Sequence, residues 1–245
     1  MIIGVQNFST LVHSPDAYEM TLLVNRQVRD HVAPAWGLLP PEVVYLSSSS
    51  GIHCDAVIGI FDDAGQAGDL GWHTEAQGGN VYGRVFARPV LDNGGNALTA
   101  PLSVCSVLSH EAVETLGDPT CARWAQRADG TLVAYELADP VESDSYQMTI
   151  TASSGEQITG TVSDFVLPSW FDPEAASGET DYLGLLTSPF VIRPTGYAIE
   201  MTAGTISETW GEQYPSWRLA TKQNLSARTA RRDPAVLGAV PTRLA

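Results

Sequence analysis

Residues 109–119 read SHEAVETLGDP and end an apolar run that begins near Pro101. A proline at the first helical position and a glycine just past the last one are typical of helix ends, so the sequence predicts a helix of about four turns from Pro101 to the residue before Gly117. At about 100° per residue, apolar positions fall on one side of this helix, whereas His110 and Glu114 share the other. We expect the face of His110 and Glu114 to point away from the core.

An imidazole and a carboxylate one helical turn apart have the spacing of a metal site. Residues at positions i and i+4 can share one ion, and a carboxylate directly after the first ligand, here Glu111, can deprotonate a water molecule on that ion. The same pattern arises by chance on solvated helix faces, where His110 and Glu111 are an ordinary polar pair. The apolar run before the motif, the Gly-Asp-Pro exit and acidic residues downstream favour the metal site.

The stretch resembles the zincin metallopeptidases, whose motif is H-E-x-x-H. It is most similar to their metzincin branch, H-E-x-x-H-x-x-G-x-x-H/D, because Gly117 follows His110 at the spacing at which that branch turns its chain. The resemblance implies His110 as the first metal ligand, Glu111 as the general base and Gly117 as the turn. It also implies peptide-bond hydrolysis as the reaction.

The chain departs from the metzincin motif at two ligand positions. Glu114 replaces the second histidine, and the third-ligand position is held by Thr120, which is a poor ligand. Asp118 and Cys121 flank Thr120, and we take Asp118 as the third ligand. One histidine with two carboxylates suits zinc, which the family resemblance favours, but also calcium or manganese. The expected cofactor is therefore one divalent metal ion, with zinc first.

Further candidate ligands lie outside the predicted helix. Three carboxylates recur every third residue after it, and one imidazole precedes it; these residues are Glu136, Asp139, Glu142 and His73. The carboxylates are candidates to replace Asp118 as a ligand or to orient His110 through its second ring nitrogen. His73 is a candidate second imidazole or substrate-binding group. Solvated acids in a turn and a structural histidine are the alternatives.

The rest of the chain predicts an α+β fold in which a zincin-like mixed sheet with two main helices is followed by a β-rich and loop-rich region. The nearly continuous apolar run 55–61 is typical of a strand in the middle of a sheet. A first helix begins at Ser14 or Asp16, and Pro34 is expected to stop it. The resemblance also implies that an extended substrate pairs with an edge strand, for which residues 81–90 are our candidate.

Three regions follow from this pattern. We expect a zincin-like metal-binding region over 1–120, a β-rich region packed on it over 121–206, and a basic C-terminal arm over 207–245. The formal net charge is −15, with 27 acidic and 7 basic residues before Arg218 and 6 basic residues against one acidic residue from Arg218 onward.

This charge distribution limits the kinds of molecule that the protein is expected to bind. An acidic body argues against nucleic acid, because phosphate binding needs clustered cations. The basic arm is expected to contact an acidic surface of its own chain or of a neighbouring protein. The sequence has no signal peptide and no apolar stretch long enough to span a membrane, so we expect no membrane partner.

A second resemblance concerns origin rather than chemistry. The SHExxExxxDP pattern, ELADPVE at 136–142, VSDFVLPSWF at 162–171 and PTGY at 194–197 are similar to a group of largely uncharacterised proteins from bacteriophages and bacterial genomes. It suggests a protein of the host cytoplasm or of an assembled phage particle.

The sequence leaves three functions open. The first is a metal-dependent peptidase that acts on a peptide or protein substrate with Glu111 as the base. The second is a non-catalytic structural virion protein that keeps a zincin-like scaffold. The third is a small-molecule hydrolase that uses the same ion.

Overall fold

A mixed five-stranded sheet carries the N-terminal part of the chain in the computed structural model, which describes residues 1–47, 51–64, 69–75 and 79–219. Its strands are β1 (Ile2–Asn7), β2 (Glu42–Tyr45), β3 (Ala56–Phe61), β4 (Gly71–Glu75) and β5 (Val81–Phe86). They lie in the order β2-β1-β3-β5-β4. All neighbours are parallel except β4, which runs antiparallel to β5. The apolar run 55–61 therefore lies at the centre of the sheet, as its composition predicts.

The edge strand beside the second main helix is β4. The prediction that residues 81–90 form this edge is wrong, because β5 lies between β3 and β4 and ends at Phe86. A short helix, α3 (Ala87–Asp92), follows it at once. Pro89 falls in the first turn of α3, where a missing N–H leaves no hydrogen bond unmade.

The first main helix is α1 (Ser14–Gln27), and it does not stop at Pro34 as predicted. A π-helical turn, Val28–Val32, carries it into α2 (Ala33–Trp36). Pro34 falls in the first turn of α2, where helices tolerate proline. The helix ends instead at Gly37, whose φ of 62° is the left-handed conformation that favours glycine.

The second main helix is α4 (Val104–Gly117), which carries the SHEAVETLGDP stretch. It begins three residues later than Pro101, because Ser103 and Ser106 form a reciprocal capping box in which each hydroxyl accepts the other residue's backbone N–H at 3.0 Å. The expectation of an outward-pointing polar face is also wrong. Within α4 only Leu116 is not buried, since later parts of the chain cover the side that carries His110 and Glu114.

The C-terminal part is rich in strands and loops. Its elements are β6 (Trp124–Gln126), β7 (Leu132–Ala134), β8 (Ser145–Thr151), β9 (Gln157–Ser163), β10 (Tyr197–Thr202), β11 (Thr205–Trp210), α5 (Ser216–Leu219) and the 3₁₀ turns Asp139–Val141 and Pro168–Phe171. Four of the strands form a sheet in the order β11-β10-β7-β6, and β8 pairs with β9 as a hairpin. The fold is thus α+β with two main helices, as the sequence predicts.

Helix α4 lies between the N-terminal sheet and the β8–β9 hairpin. It contacts β3, β4 and β5 on one side and β9 on another, and α1 also packs on β9. One hydrophobic core runs from Ile3 to Ala198 and so contains residues of both the 1–120 and the 121–206 regions. Within the described ranges, no helix is both long and apolar enough to cross a lipid bilayer. Of the predicted arm 207–245, residues 220–245 lie outside the described part of the chain.

Candidate metal centre

Helix α4 places His110 and Glu114 against each other inside the protein. They stand one turn apart, and Nε2 of His110 lies 3.1 Å from Oε1 of Glu114. Both are buried, with Glu114 wholly inaccessible to solvent. The i,i+4 spacing that the sequence shows therefore brings the two predicted ligands together, but in the interior rather than at a surface.

Asp139 completes this group. The Asp139–Val141 turn places its Oδ1 3.2 Å from Nε2 of His110. A neighbouring loop holds the turn, because Arg193 N–H donates to the carbonyl of Pro140 at 2.8 Å and Gly196 packs so close that a Cβ there would lie 2.1 Å from that oxygen. Asp139 is thus the carboxylate that meets His110 from outside the helix.

The carboxylate of Asp118, our sequence-based third ligand, has a different set of contacts. It accepts the backbone N–H of Ala122 at 3.2 Å and that of Arg123 at 2.9 Å, and so closes the turn that follows α4. Among the described residues, the donor groups able to share one ion contain His110, Glu114 and Asp139 together, but not Asp118. We therefore replace Asp118 by Asp139 in the ligand set.

Gly117 also has a different role from the predicted turn. It is the last residue of α4 rather than the first one beyond it. A Cβ at this position would lie 2.1 Å from Cδ1 of Leu137. Glycine leaves room here for the chain that leads to Asp139, because Leu137 of that chain packs directly on the end of the helix.

His73 reaches the group of His110, Glu114 and Asp139 from the edge strand β4, and together with Glu111 and Glu136 these residues form a buried cluster. His73 is fully buried, and its Nδ1 lies 3.7 Å from Oε2 of Glu111 and 3.6 Å from Oε2 of Glu114. Its Nε2 lies 3.0 Å from the carbonyl oxygen of Asp118 and 4.0 Å from Oε2 of Glu136. His73 and Glu136, which the sequence offers only as further candidates, thus belong to the cluster.

Three buried groups of side chains in this cluster could hold a metal ion. They are His110 with Glu114 and Asp139, His73 with Glu111 and Glu114, and His73 with Cys121 and Glu136. Two donors that each lie about 2.1 Å from one ion are about 3.0 to 3.4 Å apart at bond angles of about 90 to 109°. The separations of 3.1 and 3.2 Å around His110 Nε2 lie in this range. The donors present therefore fit a divalent metal ion.

The electrostatics of the cluster favour positive charge. Burial lowers the pKa of His110, but the charge of Glu114 and the hydrogen bond with Asp139 outweigh it and raise that pKa well above its ordinary value. For His73, burial is likewise outweighed by Cys121 and then by Glu111 and Glu114, which raise its pKa. Buried carboxylates are costly unless a cation or a proton compensates them.

A cavity of about 240 Å³ adjoins the cluster. His110 and Glu111 form part of its wall, and Leu70 and Gly71 line it from the start of the edge strand. Trp217 in α5 lines it from the C-terminal side. The general-base candidate therefore stands between the metal-binding groups and a space that a substrate could enter.

Glu142 lines the cavity too, but it forms a buried ion pair with Arg218 of α5 rather than orienting His110. Arg218 is the first basic residue of the predicted arm, and it docks on an acidic residue of its own chain. No pattern in the sequence connects Arg218 or Trp217 with the site, since these residues lie at least 100 residues beyond the end of α4. Their only signal was the change of charge at residue 218.

Comparison with models of protein families, with curated proteins and with solved structures finds no match. The function must therefore be argued from the geometry of the cluster.

Proposed function

We propose that this protein is a metal-dependent peptidase whose ion is held by His110, Glu114 and Asp139, with Glu111 as the general base. The observation that carries the proposal is the position of His110 Nε2, which lies 3.1 Å from Glu114 and 3.2 Å from Asp139 in the interior. Imidazole and carboxylate donors together suit zinc, with manganese or calcium as alternatives.

Each residue of the site has a task in this proposal. A divalent ion bound there supplies Lewis acidity toward water and a substrate carbonyl. Glu111 follows His110 on α4 and borders the cavity, so its carboxylate can accept a proton from the attacking water and later return it to the leaving amine. The buried surroundings exclude bulk water, which strengthens the electrostatic interactions among these groups.

The surroundings of the site fit an extended peptide substrate. Strand β4 pairs with β5 on one side, and among the described strands it has no neighbour on the other. The carbonyl of His73 in the middle of β4 already accepts the thiol of Cys121 at 3.3 Å, so the part of this edge proposed to receive a peptide is its start, where Gly71 lines the cavity beside Glu111. This edge takes the place of residues 81–90, of which 81–86 lie inside the sheet and 87–90 belong to α3.

The test compares the purified wild-type protein with Glu111→Gln on a mixed peptide library analysed by mass spectrometry. We expect cleavage by the wild type and a loss of at least about 100-fold in Glu111→Gln, because the amide cannot accept the proton. The matched control is Glu156→Gln at an exposed position, which should cleave like the wild type. Equal cleavage by Glu111→Gln, or none by a metal-loaded wild type, would overturn the peptidase assignment.

A further inference from the structure

We propose that the cluster binds a second divalent cation between His73, Glu111 and Glu114, so that Glu114 bridges two ions. This inference rests on the proposed ion at His110, Glu114 and Asp139, and it adds a metal site on the opposite side of Glu114. The starting point is the orientation of His73, the one imidazole of the cluster that comes from the edge strand β4.

The hydrogen bonding of His73 fixes which ring nitrogen is available. Nε2 lies 3.0 Å from the carbonyl oxygen of Asp118, and because a carbonyl can only accept, Nε2 must carry the hydrogen and donate it. In the neutral ring, Nδ1 then presents a bare lone pair. A backbone carbonyl that orients the far nitrogen of a histidine is a common support for a metal-binding imidazole.

Two carboxylates lie near that nitrogen. No described residue hydrogen-bonds to Nδ1, which is wholly buried, and its neighbours are Oε2 of Glu111 at 3.7 Å and Oε2 of Glu114 at 3.6 Å. Three electron-rich atoms this close together in the interior repel one another unless a proton or a metal cation lies among them.

The distances favour a metal ion over a proton. A protonated imidazole that donates to a carboxylate brings nitrogen and oxygen to about 2.7 to 2.9 Å, which is much closer than the observed 3.6 and 3.7 Å. Two donors that lie about 2.1 Å from one ion at an angle of about 120° are about 3.6 Å apart. The spacing around His73 Nδ1 is thus compatible with ligands that share one ion.

Glu114 connects the two positions. Its Oε1 faces His110 and its Oε2 faces His73. A carboxylate can bind one cation through each oxygen, and paired ions in hydrolytic enzymes lie about 3.5 to 4 Å apart. Glu111 binds the second ion through Oε2, which leaves Oε1 beside Gly71 at the cavity to accept a proton.

The charges also balance with two ions. The buried carboxylates of the cluster are Glu111, Glu114, Glu136 and Asp139. Two divalent cations would match the four negative charges of these carboxylates.

The alternative group of His73, Cys121 and Glu136 is a weaker candidate for the second ion. It would need Nε2 of His73, which already donates to Asp118, and the Cys121 thiol, which donates to the carbonyl of His73 at 3.3 Å. The second ion is therefore placed on the Nδ1 side.

The test loads the full chain with Mn²⁺, removes excess by dialysis, and measures metal content and the electron paramagnetic resonance spectrum. We expect about two equivalents in the wild type and a spectrum of two magnetically coupled ions, because both bind one carboxylate. His73→Gln should retain about one equivalent with the spectrum of an isolated ion, and circular dichroism verifies its folding.

Each other outcome is decisive. One uncoupled equivalent in the wild type that persists in His73→Gln and is lost in His110→Ala would overturn the second site but leave the proposed function intact. Two uncoupled equivalents would place the second ion away from Glu114 and overturn the bridge. No bound metal in the wild type would overturn both proposals. If His73→Gln does not fold, stoichiometry and coupling in the wild type alone decide the question.

Discussion

The carboxylate of Glu111 occupies the space that a side chain at Gly71 would need. A Cβ built on Gly71 would lie 2.5 Å from Oε1 of Glu111 and 2.9 Å from the carbonyl oxygen of Arg84. The general-base candidate on α4 is thus in direct contact with the backbone of the edge strand. Because Arg84 O belongs to the neighbouring strand β5, the sheet cannot easily yield.

Replacing Gly71 by alanine tests whether this contact positions Glu111. We expect Gly71→Ala to displace the carboxylate and to lower peptide cleavage about 100-fold, the scale of loss from a misplacement of about 1 Å. The ion at His110, Glu114 and Asp139 should remain bound. The control is Gly51→Ala, where a Cβ meets nothing within 4 Å. Unchanged cleavage by Gly71→Ala would show that the contact has no catalytic importance.

Gly117 is the corresponding contact at the end of α4. Gly117→Ala places a methyl group against Leu137, which is fully buried, and we expect the free energy of unfolding to fall by about 1 to 2 kcal/mol. Urea titration measures this change. In a double-mutant cycle with Leu137→Ala, the two changes should be coupled by about 1 kcal/mol or more. Additive effects would contradict direct packing of these residues.

The contribution of Asp164 to stability should decrease as the pH rises through the neutral range. Burial, followed by a hydrogen bond with Asp181, raises the pKa of Asp164 to about 8. Between about pH 4 and pH 8 the folded state then holds a proton that the unfolded state has lost, so the free energy of unfolding falls by at most about 1.4 kcal/mol per pH unit.

Asp164→Asn should reduce the decrease in stability with pH, since its side chain is neutral throughout and can still accept the N–H groups of Phe165 and Leu183. Urea titrations at several pH values between about 5 and 8 measure the slope. The exposed control Asp172→Asn should keep the wild-type slope. A wild-type slope in Asp164→Asn would show that this carboxyl group is ionised in the folded protein.

The ion pair of Glu142 and Arg218 should hold α5 beside the cavity. Glu142→Gln removes the carboxylate partner of a nearly buried guanidinium, a change that costs about 3 to 5 kcal/mol in buried pairs. We expect local release of residues 214–219, visible as faster amide hydrogen exchange there and unchanged exchange in α4. An apolar pair, Glu142→Leu with Arg218→Met, should keep most of the protection. Wild-type exchange in Glu142→Gln would show that other contacts hold α5.

The part of the site that the sequence predicts is the part that lies within one helix. His110 and Glu114 come together because four residues make about one turn, which is a local property of α4. Asp139 and His73 come close to His110 and Glu114 from a 3₁₀ turn and an edge strand. Such tertiary contacts cannot be predicted from the periodicity of a single helix. Asp118 is the first acidic residue after α4 in the sequence, which is why the sequence favours it as a ligand. Its carboxylate instead accepts backbone N–H groups of the turn after the helix.

The fold shows the same division. The apolar run 55–61 predicts a central strand because a strand that is buried on both faces consists almost entirely of apolar residues. The composition of β5, residues 81–86, does not show that it is an inner strand, since its place inside the sheet depends on β4 pairing beside it. The polar face of α4 is buried because the chain beyond Gly117 returns over it, which a helical pattern alone cannot show.

The metal content of two aspartate variants tests the central claim most directly. Wild type, Asp139→Asn and Asp118→Asn are purified without chelator, dialysed against one divalent metal and measured by plasma mass spectrometry. If His110, Glu114 and Asp139 hold an ion, Asp139→Asn loses about one equivalent, whereas Asp118→Asn keeps the wild-type content and loses only stability. Loss in Asp118→Asn with full content in Asp139→Asn, or a wild type without metal, would contradict the proposed centre.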